Sequence, residues 1–436
     1  MSELRRRALA GLLAGWVLAA APCHRAWAQE GAAQIGARLV QEAPVRAALD
    51  HIRSTETQLI EEQIRVCEVP APPFKEQARG ELLKRLFQEL GLANVRVDKV
   101  GNVLGERRGR ASSPRLVFTA HLDTVFPEGT PVKVTREGSV LKAPGIGDDC
   151  RGLAVLLGVI RALDQARIAT PGSITFVATV GEEGLGDLRG VKHLFDEELK
   201  GRIDRFVSID GTGLGITHIG VGSKRYRVTF KGPGGHSYGA FGLANPIEAM
   251  GRAIARIGEF RPPAEPKTTF NVGRVGGGTS VNSIPFEGWM EVDMRSADQA
   301  ALSSLDASFH KAVDDAVAEE NRRWQSEGPA AMRGRGDYRV TVEKTLVGDR
   351  PAGRTPETTA IIQAAVSVTR ALDLPVTLDE GSTDSNIAMS RNIPAVTIDG
   401  GGRGTGAHAL DESFDTTDSW KGTQRALLVA IALAQP

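Results

Sequence analysis

The sequence predicts an α/β chain: a mixed sheet with helices on both faces, interrupted by a smaller ferredoxin-like α+β unit. Three observations lead there. Apolar runs of strand length alternate with helix-length periodic stretches through most of the chain. A central block switches to β-α-β-β-α order. The chain's most suggestive acids and histidines fall just after the apolar runs, where open α/β sheets gather their ligands.

Taken in order, Arg5, Arg6 and Arg7 precede an apolar run from Ala8 to Ala21 and then Ala26-Trp27-Ala28. A basic start, a short apolar stretch and a small-x-small end describe a secretory signal peptide over 1–28. The run is shorter than the ~20 residues a membrane span requires, which argues against a stable anchor. Secretion, into a bacterial periplasm, by the general or the twin-arginine route, is the expectation. Helices are expected within 33–66 and again around Leu82–Leu90, separated by Pro70-Ala-Pro-Pro73. Strands follow at Val95–Val100 and Leu116–Ala120, a helix at Leu153–Leu163, and strands at Ser173–Val180 and Phe206–Asp210. The inserted unit reads as a strand at 224–230, a helix from Pro246 to Phe260, strands near 268–276 and 287–295, a helix over 298–322 and a strand at 338–346. A glycine-rich, charged connection lies at 326–337. Helix Thr358–Leu372 and strand Ala395–Ile398 return to the first sheet. The divisions are therefore 1–28, a first segment of the larger sheet domain 29–221, the insertion 222–346 and a second segment of the larger domain 347–436.

Composition narrows the function. Fifty-three basic residues balance fifty-three acidic ones, so no basic surface invites nucleic acid. Three cysteines, with no zinc-finger spacing, leave any metal site to His, Asp and Glu. Cys67 and Cys150 remain after residues 1–28, and the sequence leaves their pairing open.

The chemistry-bearing positions cluster at strand ends. His121-Leu-Asp123 follows the strand at 116–120, an arrangement in which a carboxylate can orient a metal-binding imidazole. Gly145-Ile-Gly-Asp148-Asp149 precedes a helix, so its acids could equally be a helix cap. Glu182 and Glu183 end the strand at 173–180; adjacent buried carboxylates repel, and a cation would relieve them. Asp210 and His408 follow two further strands. Imidazole and carboxylate donors without thiolates suit zinc, manganese or cobalt in a hydrolytic site.

These segments, from Glu68-Val-Pro-Ala-Pro-Pro73 to Ala407-His-Ala-Leu-Asp411, resemble the co-catalytic metallopeptidase family of tripeptidase T, glutamate carboxypeptidase, aminoacylase and succinyl-diaminopimelate desuccinylase. The resemblance implies two divalent ions, zinc foremost, held by His121, Asp148, Glu183, Asp210 and His408, with Asp148 bridging. It implies Asp123 behind His121, a cis peptide between Asp148 and Asp149, and Glu182 as general base. His236, in Gly232-Pro-Gly-Gly-His236, would stabilise the oxyanion, reaching a neighbouring subunit in dimeric relatives, so a homodimer through the insertion is expected. Asn282 and Arg295 would contact substrate, though a turn and a structural ion pair are their ordinary alternatives, and Asp384 would support the site. Aspartate at position 210 tilts the expectation toward aminopeptidases and dipeptidases. Where relatives carry Lys and then a small residue, this chain has Cys150 and Arg151. The expected activity is a secreted exopeptidase acting on short peptides. The alternatives are an amidohydrolase or carboxypeptidase acting on N-acyl amino acids, and a non-catalytic binding protein.

Overall fold

The computed structural model describes residues 31–327 and 338–436. The expected signal peptide and nearly all of the expected connection at 326–337 lie outside them.

A nine-stranded mixed sheet forms the larger body. At its centre Ser173–Thr179, Arg115–His121, Arg205–Ile209 and Ala395–Ile398 lie side by side in parallel. Their burial follows from sequence: Arg115–His121 is Leu-Val-Phe-Thr-Ala-rich and buried on both faces, as central parallel strands are. Leu116, Phe118 and Ala120 pack with helices Ala43–Ser54, Cys150–Gln165, Ala360–Ala371 and Trp420–Leu433. Val117, on the opposite face, packs with Leu188, Val191, Leu194 and Ile387. Both faces are thus covered, as the alternating pattern predicts. The expected helix at 33–66 is a helix at 31–39 followed by Ala43–Ser54 and Glu56–Cys67, a division placed by Pro44 at the start of one helix and Thr55 between the others. Because the four central strands run the same way, His121, Glu182, Glu183, Asp210 and the 399–408 loop emerge at one edge.

The second sheet has the order Thr268–Gly277, Glu287–Ser296, Gly222–Lys231, Thr341–Arg350, antiparallel throughout. Helices Pro246–Gly258 and Gln299–Glu327 cover one face of it through Val228, Phe230, Met290, Val292 and Met294. Alternation along Glu287–Ser296 explains the arrangement: every second residue from Gly288 to Ser296 is buried. The two sheets meet where Gly215–Gly220 runs into Gly222–Lys231, and where Thr341–Arg350 returns to Gly353–Arg354, which pairs with Gly220 and Ile219.

A four-stranded sheet of short segments, Arg403–Thr405, Ser413–Asp415, Val140–Lys142 and Thr135–Glu137, was not anticipated from sequence. Three-residue strands are too short to show a period. This small sheet sets the His408 loop beside the 143–149 loop, with the Ala143 N–H donating to the Glu412 carbonyl at 3.1 Å.

Candidate active site

Each glycine-flanked acid is fixed by its neighbours. Glu412, buried behind the 145–148 loop, accepts from the backbone N–H groups of Gly145 and Gly147 at 2.8 Å each and of Asp148 at 3.0 Å. The Asp148–Asp149 peptide is cis. Asp149 caps helix Cys150–Gln165 by accepting from Gly152 N–H at 2.9 Å and also accepts from His121 N–H at 3.0 Å. The capping and site-building readings of this acidic pair therefore coexist: Asp149 caps, while Asp148 points the other way.

Asp148 lies between two imidazoles, its Oδ1 3.0 Å from His121 Nε2 and its Oδ2 3.2 Å from His408 Nε2. Glu183 Oε1 approaches His408 Nε2 at 3.0 Å, and Asp210 Oδ1 lies 3.8 Å from His121 Nε2. His121 Nδ1 meets the Asp123 backbone carbonyl at 3.0 Å. The Asp123 carboxylate sits 3.7 Å from that ring and accepts from Glu182 N–H at 3.0 Å and Glu183 N–H at 2.8 Å. Three donor groups result, each with ligand atoms within 4.8 Å of one another: His121–Asp148–Asp210 and Asp148–Glu183–His408, which share Asp148, and His121–Glu182–Glu183, which brings the second glutamate beside them. The adjacent glutamates differ in their further partners: Glu183 faces His408, whereas Glu182 Oε1 accepts from Arg350 Nη1 at 3.2 Å.

The electrostatics of these side chains call for cations. Burial pushes Glu182 up to about 8, with Arg350 opposing and Glu183 adding to the rise. Burial also drives Asp210 and Asp149 well above the usual carboxylate range, and Asp123 up to about 6. His408 is raised to about 10 by its hydrogen bonds to Asp148 and Glu183. Against the burial cost, hydrogen bonds from both imidazoles hold Asp148 far below the usual range. Divalent ions would supply the positive charge that protons must otherwise provide, with donors hard enough for zinc, manganese or cobalt. The residues fit a two-ion centre.

Other expected positions lie apart from this cluster. His236, exposed, accepts at Nδ1 from Tyr238 and Gly239 N–H at 3.2 Å each and pairs along the backbone with Ser283. Ser237 N–H donates to the Asn282 carbonyl at 2.9 Å, so His236 and Asn282 belong to one loop cluster. Among the described residues neither makes a hydrogen bond or ion pair to the donor groups. Arg295 Nε donates to Asp293 Oδ2 at 2.8 Å on the inserted sheet, the structural pairing that the sequence left as an alternative. Asp384 accepts from Thr179 Oγ1 at 2.6 Å, buried behind the Glu182 strand. Cys67 and Cys150 are buried together as free thiols, Cys67 Sγ donating to the Pro144 carbonyl at 3.8 Å.

Sequence reading missed Arg350 and Glu412. Glu412 directly follows the quoted Ala407–Asp411 segment, but nothing in the chain says that it turns inward to cap a loop 264 residues away. Glu412→Ala strands three buried N–H groups, each costing about 1–3 kcal/mol, and is expected to lower unfolding free energy by about 3 kcal/mol or more. Glu412→Gln, which keeps an acceptor, should cost less; urea denaturation of both variants checks this.

A model of peptidase family M20/M25/M40 matches residues 117–432. A succinyl-diaminopimelate desuccinylase of Methylobacillus flagellatus is 27% identical over 302 residues, covering 63% of this chain and 78% of that protein. Among solved structures, aminopeptidase PepT of Bacillus cereus superposes with a TM-score of 0.67 at 21% identity, covering 86% of this chain and 98% of the other. A dinuclear metal-binding peptidase of Bacillus subtilis superposes at 0.64 and 18% identity, covering 88% and 100%.

Proposed function

Since the chain belongs to peptidase family M20/M25/M40 and is a hydrolase, we propose that it is a secreted exopeptidase that cleaves short peptides carrying a free amino end. The observation that carries the catalytic part is the different partnering of neighbouring glutamates, Glu183 turned to His408 and Glu182, beside the same cluster, bound by Arg350. His121, Asp148 and Asp210 would hold one ion, and Asp148, Glu183 and His408 the other. When bound, the ions supply the Lewis acidity for amide hydrolysis, zinc being the first choice for this donor set.

The protein's own groups do the rest. Glu182 takes the proton from the attacking water and returns it to the departing amine nitrogen. Asp123 keeps His121 oriented and fixes both glutamate backbones through their N–H groups. His236, apart from the donor groups of its own chain, would donate to the developing oxyanion in the site of a second copy. The exposed Tyr238, Phe241, Val281 and Phe286 around it support pairing with a second copy there. The basic and apolar pattern of 1–28 supports export to a periplasm. Among the described residues no helix is long and apolar enough to cross a membrane.

The aspartate at 210 and the likeness to PepT favour free-amino peptides; the desuccinylase favours N-acylated amino acids as the second reading. A panel of free-amino and N-blocked di- and tripeptides, assayed with zinc, cobalt and manganese, separates them. Preference for free-amino substrates by at least about tenfold in kcat/KM, some 1.4 kcal/mol of transition-state binding, is expected. Preference for N-acyl substrates would transfer the assignment to the amidohydrolases.

A further inference from the structure

We propose that Arg350 is a positioning residue for Glu182, carried on the root of the inserted unit, so that the placement of that unit sets where the Glu182 carboxylate points. This rests on the base role proposed above.

Arg350 grips Glu182 twice. Its Nη1 donates to Glu182 Oε1 at 3.2 Å, and its Nη2 donates to the Glu182 backbone carbonyl. Nη1 also reaches Ser382 Oγ at 3.2 Å, so the guanidinium joins the Glu182 loop to the 381–384 loop. The arginine and glutamate side chains are only 4% and 6% exposed. A planar, forked cation can hold a carboxylate and a carbonyl together in a way that a lysine ammonium on a flexible stem cannot.

The location gives the pair its meaning. Arg350 is the last residue of strand Thr341–Arg350, paired in register with Ser223, at the crossing between the two sheets. Both crossings are pinned by one side chain: Asn386 Nδ2 donates to the Val221 and Pro351 carbonyls at 2.9 Å each. The same root holds the rest of the glutamate loop. Arg225 Nη1 donates to the Gly184 carbonyl at 2.8 Å, and Asp349 N–H donates to Asp187 Oδ1 at 2.8 Å. Residues 182–187 are thus tied to the inserted unit at three points, and a rotation of that unit about its root cannot leave Glu182 undisturbed. A buried ion pair is weak support for stability, because desolvation offsets most of its attraction. Placement of the carboxylate is the better account of this one.

The test uses the full-length, zinc-loaded protein and the peptide cleaved fastest in the panel above. Arg350→Ala is expected to lower kcat by about 100-fold, the lower end of what a well-placed base contributes, with KM little changed. Zinc content should stay at two ions per chain, and millimolar guanidinium should restore part of kcat to Arg350→Ala in a saturable way. Arg350→Lys, which preserves charge and much of the volume, covers the case in which the alanine variant fails to fold; it should retain KM and lose kcat. In a Glu182→Gln background Arg350→Ala should change nothing further, because its partner is already disabled. A raised KM with unchanged kcat, in either variant, would overturn the proposal by placing Arg350 on the substrate. A further loss of kcat in the Glu182→Gln background would overturn it as well. Full activity of Glu182→Gln alone would instead remove the base assignment on which the proposal stands.

Discussion

Glu182→Gln is expected to lower kcat by about 1,000-fold, within the range general acid–base catalysis contributes, while two metal ions per chain are retained. The separation of effects follows from the contacts. Glutamine matches glutamate in shape and keeps an oxygen able to accept from Arg350 Nη1, so the hydrogen bond now at 3.2 Å can survive. The backbone N–H of residue 182 remains anchored on Asp123 Oδ1, and the Glu183–His408 approach of 3.0 Å is untouched. What disappears is the group able to take a proton from water and pass it to the leaving amine. Glu183→Ala should behave oppositely: it removes a donor from the Asp148–Glu183–His408 group and should lose metal before anything else. Steady-state kinetics with metal analysis on the same samples reads both quantities. Equal metal loss in the two variants would mean that the glutamates share one role, and the division on which the catalytic reading depends would fail.

Much of this site was legible because its residues sit at strand ends. His121, Glu182, Glu183 and Asp210 each follow an apolar run that becomes a central strand, and parallel strands bring their carboxyl ends to one edge. His408 was read from the strand it follows, Ala395–Ile398, but it lies ten residues beyond that strand's end, and the short strands Arg403–Thr405 and Ser413–Asp415 are what fold it back on the 143–149 loop. The edge strands were harder. Gly215–Gly220 is bounded by glycines and Thr377–Gly381 carries two acids, compositions that read as loop; pairing with each other, in parallel, makes them strands. Arg350 was beyond sequence reading for a different reason. Arginine at the end of an amphipathic strand ordinarily points to water. Its burial depends on a glutamate 168 positions away, a fact of tertiary structure alone. Arg151 shows the same limit within the site loop: it stands where the family resemblance leads one to expect a small residue, yet it is fully buried, donating to the Gly400 carbonyl at 2.8 Å and to the Ser419 carbonyl at 2.6 Å. This chain thus ties the helix after Asp149 to the His408 side of the site with a guanidinium.

Asp148→Ala is expected to abolish binding of both ions, a larger defect than loss of any other single donor. Asp148 is the one residue common to His121–Asp148–Asp210 and Asp148–Glu183–His408, facing one imidazole with each oxygen. Without it each of these two groups falls to two protein donors, fewer than the three that catalytic zinc sites use, and the remaining His121–Glu182–Glu183 group includes a glutamate whose carboxylate Arg350 already engages. Removal of Glu183 or His408, by contrast, leaves the His121–Asp148–Asp210 group whole, so about one ion per chain should remain. The ions also couple to folding, because binding to the native chain alone stabilises it by about 2.7 kcal/mol at a hundredfold excess over Kd. Zinc should therefore raise the thermal midpoint of the parent protein, raise that of Glu183→Ala less, and leave Asp148→Ala where it began. Zinc titration followed by calorimetry and by metal analysis measures stoichiometry and stability independently of turnover. Retention of two tightly bound ions by Asp148→Ala would show that they are held elsewhere, and the assignment of this carboxylate as the bridge would have to be abandoned.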